Sequence, residues 1–316
     1  MKIISLIILL GITLLSKDIH APLASYEVSG GTTELLVKEQ KLYVATSMGC
    51  IDIFDLQNQK KLESICVENI LDFMGDPIES KIYSVDVLDD QILILSQAEG
   101  GYRRLHLYKD GVLQEILSKD RMLSIAKAKF LDKQRVLLAL LGSELLLYDM
   151  QKKENIYSVQ ISQSKFSDFV LDEQKERIVI ADESGALKIH DTKSGKLLDV
   201  LKGQNLDNVF KLDMKNNSII TAGQDRRVVV YDLKRSSSYY LSSSFLVYCA
   251  ALSPSATLGA YSSDEHNNVS VFHTDTRSIL GVFGGSKMTL STILFLDEKH
   301  FFVGSDDKKV NFYKIP

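Results

Sequence analysis

Arg227-Val-Val-Val-Tyr-Asp232 is a short apolar run closed by an aromatic residue and an aspartate, and it has six counterparts in the 316-residue chain. They are Gly49-Cys-Ile-Asp-Ile-Phe-Asp55, Arg104-Leu-His-Leu-Tyr-Lys109, Glu144-Leu-Leu-Leu-Tyr-Asp149, Ala186-Leu-Lys-Ile-His-Asp191, Asn268-Val-Ser-Val-Phe-His273 and Lys309-Val-Asn-Phe-Tyr-Lys314. The aromatic or histidine positions are 54, 108, 148, 190, 231, 272 and 313, at intervals of 54, 40, 42, 41, 41 and 41 residues. A period of about 40–45 residues made of short strands is the pattern of four-stranded propeller blades, each of which buries its faces only by stacking on its neighbours. The chain is therefore expected to be all-β and to form a seven-bladed β-propeller.

Alternation and turn residues divide each repeat into strands. In the sixth, residues 246–252 read as the inner strand, 257–261 as the second, 269–273 as the third and 278–283 as the outer one. Inner strands are expected to be small and apolar, as in Tyr248-Cys-Ala-Ala-Leu252, because they converge on the axis. The seventh repeat stops at Pro316, directly after its third strand. An unpaired edge there would be a liability. Residues 24–28, Ala-Ser-Tyr-Glu-Val, precede the first inner strand at 34–37 and are expected to close the ring as the outer strand of the last blade.

Residues 250–264 (Ala-Ala-Leu-Ser-Pro-Ser-Ala-Thr-Leu-Gly-Ala-Tyr-Ser-Ser-Asp) and the repeat at 295–313 resemble WD40 repeats. The resemblance spans nearly all of the chain beyond its first two dozen residues. The Trp-Asp ending of that family survives only as Phe54-Asp55, Tyr148-Asp149, His190-Asp191 and Tyr231-Asp232, and its Gly-His dipeptide is missing. Asp182, Asp225, Asp264 and Asp306 match the family's turn aspartates, so its Asp–His–Ser–Trp network is expected only in part.

Met1-Lys2 leads into an uninterrupted apolar run from Ile3 to Leu15, followed by Ser16-Lys17-Asp18 and small residues at Ala21 and Ala24. A positive start, a short apolar centre and a small-residue exit describe a secretory signal peptide. The run falls short of the roughly 20 residues a spanning helix needs, which disfavours an uncleaved anchor. The expected organisation is a leader over residues 1–21, cut between 21 and 24, and a propeller over 22–316, exported to the periplasm as a monomer with no membrane span. The formal net charge of −4 and scattered basic residues argue against nucleic acid as a partner.

Catalytic motifs are missing: no phosphate-cradling glycine loop, no His-Glu-x-x-His and no Gly-x-Ser-x-Gly. The six histidines, at 20, 106, 190, 266, 273 and 300, are dispersed and read as packing or turn residues rather than ligands. Pairs such as Asp72 with Asp76 and Asp306 with Asp307 read as turn caps in preference to a calcium site. No catalytic residue, cofactor or metal is therefore expected. Cys50 and Cys66 fall opposite each other across a hairpin centred near Asn58, as a cross-strand disulfide or as two small buried residues; Cys249 is expected to be a free buried thiol.

From Phe54 to the next inner strand near Ile82 is 28 residues, against 18 from Tyr148 to Phe166, and the loop between Leu95 and Arg104 is also extended. In a propeller both insertions open on one face. Phe73, Met74 and Tyr102, beside Arg103 and Arg104, have the composition of interface anchors for a protein partner. The alternative is a structured loop with Phe73 folded onto its blade. Residues 22–30, 41–55 and Asp72-Phe-Met-Gly-Asp76 resemble the NapL-type accessory proteins of the periplasmic nitrate reductase system. That resemblance implies a non-catalytic helper in maturation of, or electron supply to, the reductase. The alternatives are a propeller hydrolase or lactonase with a channel metal, and an outer-membrane assembly scaffold.

Overall fold

Each of the seven recurring segments becomes the third strand of a blade of four antiparallel strands, one of which carries an added fifth strand, in the computed structural model, which describes residues 18–316. Blade 1 runs Thr32–Lys38, Lys41–Thr46, Cys50–Asp55 and Lys60–Cys66 from the axis outward. The inner strands of blades 2 to 7 are Ile82–Leu88, Ile125–Phe130, Phe166–Leu171, Val209–Lys215, Ala250–Leu252 and Leu290–Phe295. The protein is thus an all-β, seven-bladed propeller. In blade 6 the inner strand is shorter than expected, because Tyr248 N–H and Cys249 N–H donate to Ser262 Oγ instead of to the ladder.

The ring closes through its N-terminus. Ala24–Glu27 pairs antiparallel with the third strand of blade 7, Ala24 opposite Phe312 and Glu27 opposite Lys309. A shorter segment, Ile19–His20, adds a fifth, parallel strand to blade 6 beside Val282 and Phe283. The leader expected over 1–21 lies mostly outside the described residues; a cut between 21 and 24 would detach this fifth strand.

The core is distributed as seven apolar clusters, one between each pair of adjacent blades. The periodic residue of the third strand explains the arrangement: Phe54, Tyr148, His190, Tyr231, Phe272 and Tyr313 are all buried. Tyr26 of the closing strand sits edge-on to both Phe54 and Phe302, joining blade 7 to blade 1. Cys50 and Cys66 are register partners on the third and outer strands of blade 1 and are joined by a disulfide. Cys249 is free and buried, and burial pushes its thiol up to about 12.

The inner strands depart from the expected small, apolar pattern. Those of blades 1, 2, 3, 4, 5 and 7 share a register irregularity near their start, directly before Glu34, Ser84, Lys127, Asp168, Lys211 and Thr292. A bulge re-aims the side chain that follows it. Five of these six residues, all but Ser84, line the axial cavity.

Candidate functional site

Two places concentrate features that the fold alone does not require: the face carrying the insertions, and the axial channel. On the first, Ile70–Leu71 and Pro77–Ile78 form a two-stranded hairpin beyond the outer strand of blade 1. Asp72 shapes its tip by accepting hydrogen bonds from Met74 N–H (2.8 Å) and Asp76 N–H (2.9 Å) through Oδ1. Phe73 is 96% exposed and Met74 74% exposed, so Phe73 does not fold back onto the blade. The base is fixed by Ser80, whose hydroxyl donates to Gln97 O (2.6 Å), and by Arg104, whose Nη2 donates to Glu68 O (3.1 Å). An apolar tip on an ordered base has little conformational entropy left to lose on binding.

The structure divides the five predicted contact residues. Phe73 and Met74 project together from the hairpin. Tyr102 lies partly buried at the end of the short 3-10 turn Glu99–Gly101, where Gly100 and Gly101 take positive φ. Arg103 is not available to a partner: it is buried, with its guanidinium 3.9 Å from the Tyr83 ring centroid and Nη1 donating to Gly101 O and Tyr102 O. Arg104 is partly buried and ties the two insertions together. Both arginines therefore hold the loops in place, a role that loop composition does not distinguish from contact.

Sequence reading missed a broader asymmetry. Among the described residues, Met48, Phe73, Met74, Met122, Leu206 and Met288 are large apolar side chains exposed in loops of the insertion face; Leu23, in the link between the two N-terminal strands, is exposed as well. Among the described residues, the hairpin loops of the opposite face expose none. Exposed methionines adapt to irregular partner surfaces. The four acids of residues 68–80, Glu68, Asp72, Asp76 and Glu79, form no ion pair among the described residues.

In the channel, carboxylates of one blade clasp the backbone of the next. Val85 N–H donates to Glu34, Phe130 N–H to Asp86, Leu212 N–H to Asp168 and Leu252 N–H to Asp213. Lys127 Nζ lies 2.7 Å from Asp168 and 3.7 Å from Glu34; Lys129 Nζ lies 2.8 Å from Glu34. Burial pushes the Glu34 and Asp168 carboxyls upward, but the lysines and backbone donors outweigh it and hold both below the ordinary carboxylate range. Burial likewise opposes the Lys127 ammonium, and Asp168 and Glu34 more than offset it.

Among the described residues no three His, Cys, Asp or Glu side chains converge as a metal site would require, and no helix is long and apolar enough to cross a membrane. The WD40-type network is rebuilt in fragments. In blade 5, Thr221 Oγ1 donates to Asn205 Oδ1 and Asn205 Nδ2 to Tyr231 Oη, placing Asn and Tyr where the family has His and Trp. In blade 2, buried His106 pairs with Ser96 Oγ at 3.2 Å.

Burial, with the Arg104 charge adding to it, pushes the His106 pKa down to about 4. The unfolded chain takes up this proton near pH 6.5 and the folded chain only near 4. Its contribution is fully present above 6.5 and is lost as pH falls across that window, by about 3 kcal/mol. Urea titrations at pH 7 and pH 4.5 should show the loss, and His106→Asn should flatten this segment of the pH profile. An unchanged slope in the variant would assign the pH dependence to other groups.

These features define a seven-bladed β-propeller. Among solved structures the chain is similar to the β-propeller domain of Myceliophteria thermophila Cps50 (Swd1), with a TM-score of 0.76 and 14% identity over 93% of this chain and 99% of that one. At that identity the likeness is one of fold. No protein-family model and no curated protein matches the sequence.

Proposed function

We propose that this propeller is a non-catalytic protein-binding scaffold that works in the periplasm and engages its partner through the insertion face. The observation that carries the reading is the Phe73-Met74 tip, almost fully solvent-exposed on a hairpin whose base is hydrogen-bonded to the neighbouring loop. A large aromatic held in water with its backbone fixed costs free energy in isolation and gains it when buried at an interface. The finer reading, a helper of periplasmic nitrate reductase, rests on the NapL-type resemblance of residues 22–30, 41–55 and 72–76. The leader pattern, with its positive start at Lys2, short apolar centre and small-residue exit, supports the location.

Affinity capture from a native periplasmic extract tests both levels. The wild-type protein is expected to retain reductase subunits, and a Phe73→Ala, Met74→Ala variant to lose at least tenfold in capture with no change in melting temperature. Equal capture by both proteins would move the binding surface elsewhere. Capture of other proteins, dependent on the tip, would keep the scaffold and discard the reductase.

A further inference from the structure

Among the described residues blade 6 alone carries a fifth strand. Its outer strand, Ile279–Phe283, and the two residues after it hold three glycines, Gly281, Gly284 and Gly285. Glycine in a strand weakens it and marks a place where another backbone approaches closely. Here the approaching backbone is residues 19–22. A Cβ at Gly281 would lie 3.3 Å from the His20 ring, one at Gly284 2.7 Å from Ile19 Cγ2 and 2.5 Å from Asn268 Oδ1, and one at Gly285 3.0 Å from Pro22 Cδ. Gly284 N–H donates to His20 O (3.0 Å), and the His20 and Phe283 ring centroids are 5.0 Å apart. Leu23 N–H then donates to Phe312 O, so residues 19–27 are tied first to blade 6 and then to blade 7.

A leader is removed during export, before the ring can close, so a segment for which the folded ring keeps a fitted groove belongs downstream of the cut. The alanines that follow this segment are poor exits. A cut after Ala21 would put Pro22 directly after the scissile bond, where its ring removes the backbone N–H and fixes φ. A cut after Ala24 would remove both the Ala24 pairing with Phe312 and the Leu23 hydrogen bond to Phe312 O. Upstream of Ile19 the nearest small residue is Ser16. Gly11 interrupts the apolar run before it, leaving residues 3–10 as a centre of the length a secretory leader uses.

We propose that the leader ends at Ser16, with Leu14 in the third-last place. Water, in the active site of a signal peptidase, adds across the Ser16–Lys17 peptide bond. Residues 1–16 leave with a Ser16 carboxylate, and the remaining chain begins with the Lys17 amine and keeps residues 19–27 as a latch across two blades. The proposal rests on the export reading and moves the cut upstream of the interval 21–24.

The intact mass of the protein, expressed from its full coding sequence and recovered from the periplasm by osmotic shock, reads the first residue directly. A chain beginning at Lys17 is expected. Ser16→Phe is expected to lower the processed fraction at least tenfold, because the exit requires a small last residue. Ala21→Phe, at an exposed position, is expected to be processed like the wild type. A chain beginning at any other residue would overturn the assignment of Ser16, and one beginning downstream of Ile19 would also discard the latch while keeping export. Precursor accumulating with Ala21→Phe but not with Ser16→Phe would overturn the proposal in the same way. Full-length chain confined to the cytoplasm would overturn the export reading, and the proposal with it.

Discussion

A chain beginning at Ser29 is expected to lose the cooperative fold of the entire ring rather than fray at one end. The missing strand supplies the outer edge of blade 7 through the Ala24–Glu27 pairing, and the hydrogen bonds from Leu23 N–H to Phe312 O and Val28 N–H to Lys308 O continue it at both ends. It also supplies Tyr26 and Val28 to the cluster that joins the last blade to the first. Tyr26 is 4% exposed, and truncating a large buried aromatic costs about 3–5 kcal/mol. The single substitution Tyr26→Ala should therefore lower the urea midpoint sharply, and the truncated chain should give no cooperative melting transition by circular dichroism. A truncated chain that melts with the intact protein would show that the seam between blades 7 and 1 holds without this strand.

Removing the Asp168 carboxylate should be the most damaging single change in the channel. Asp168 is buried and links three blades: it accepts from Lys127 of blade 3 and from Leu212 N–H of blade 5. Asp168→Ala leaves Lys127 with Glu34 at 3.7 Å as its remaining carboxylate, and breaking such a buried pair typically costs about 3–5 kcal/mol. The pH dependence has a definite sign. Because the folded carboxyl titrates below the unfolded one, its stabilisation is present above the ordinary aspartate pKa near 4 and is lost as pH falls below it. Asp168→Ala should therefore unfold at lower urea at pH 7 and lose less on further acidification. The pair Lys127→Met with Asp168→Leu should recover much of the loss, since no charge is then stranded. A double variant as unstable as Asp168→Ala would attribute the damage to lost packing instead.

The ring was readable because one residue per repeat, from Phe54 to Tyr313, has to fill the seam between blades, and that need recurs at the blade period. Closure by residues 24–28 was readable from what the seventh repeat lacks. The channel was not, because its side chains face the axis through bulges near the starts of the inner strands, and a one-residue irregularity disrupts the alternation from which burial is inferred. Lys127 and Asp168 look like the solvent-facing half of an ordinary strand until the register places them. The hairpin after blade 1 was legible from the length of the interval, but the sequence left open whether Phe73 folds onto its blade, and only the fold shows it exposed. Arg103 misled because an arginine stacked under Tyr83 and one offered to a partner share the same sequence context; only the fold shows which carbonyls its guanidinium reaches.

The pairing of Ala24–Glu27 with Lys309–Lys314 also sets an order of events. A polypeptide delivered from its N-terminus must hold its second strand unsatisfied while nearly 300 residues follow, and the loop-closure entropy of that contact is recovered only at the end. Until the last strand arrives the ring is open, and the unpaired third-strand edge of blade 7 and the unpaired Ala24–Glu27 are free to pair elsewhere. A product lacking Lys309–Lys314 would leave Ala24–Glu27 without its partner, and the seam between the last blade and the first could not close.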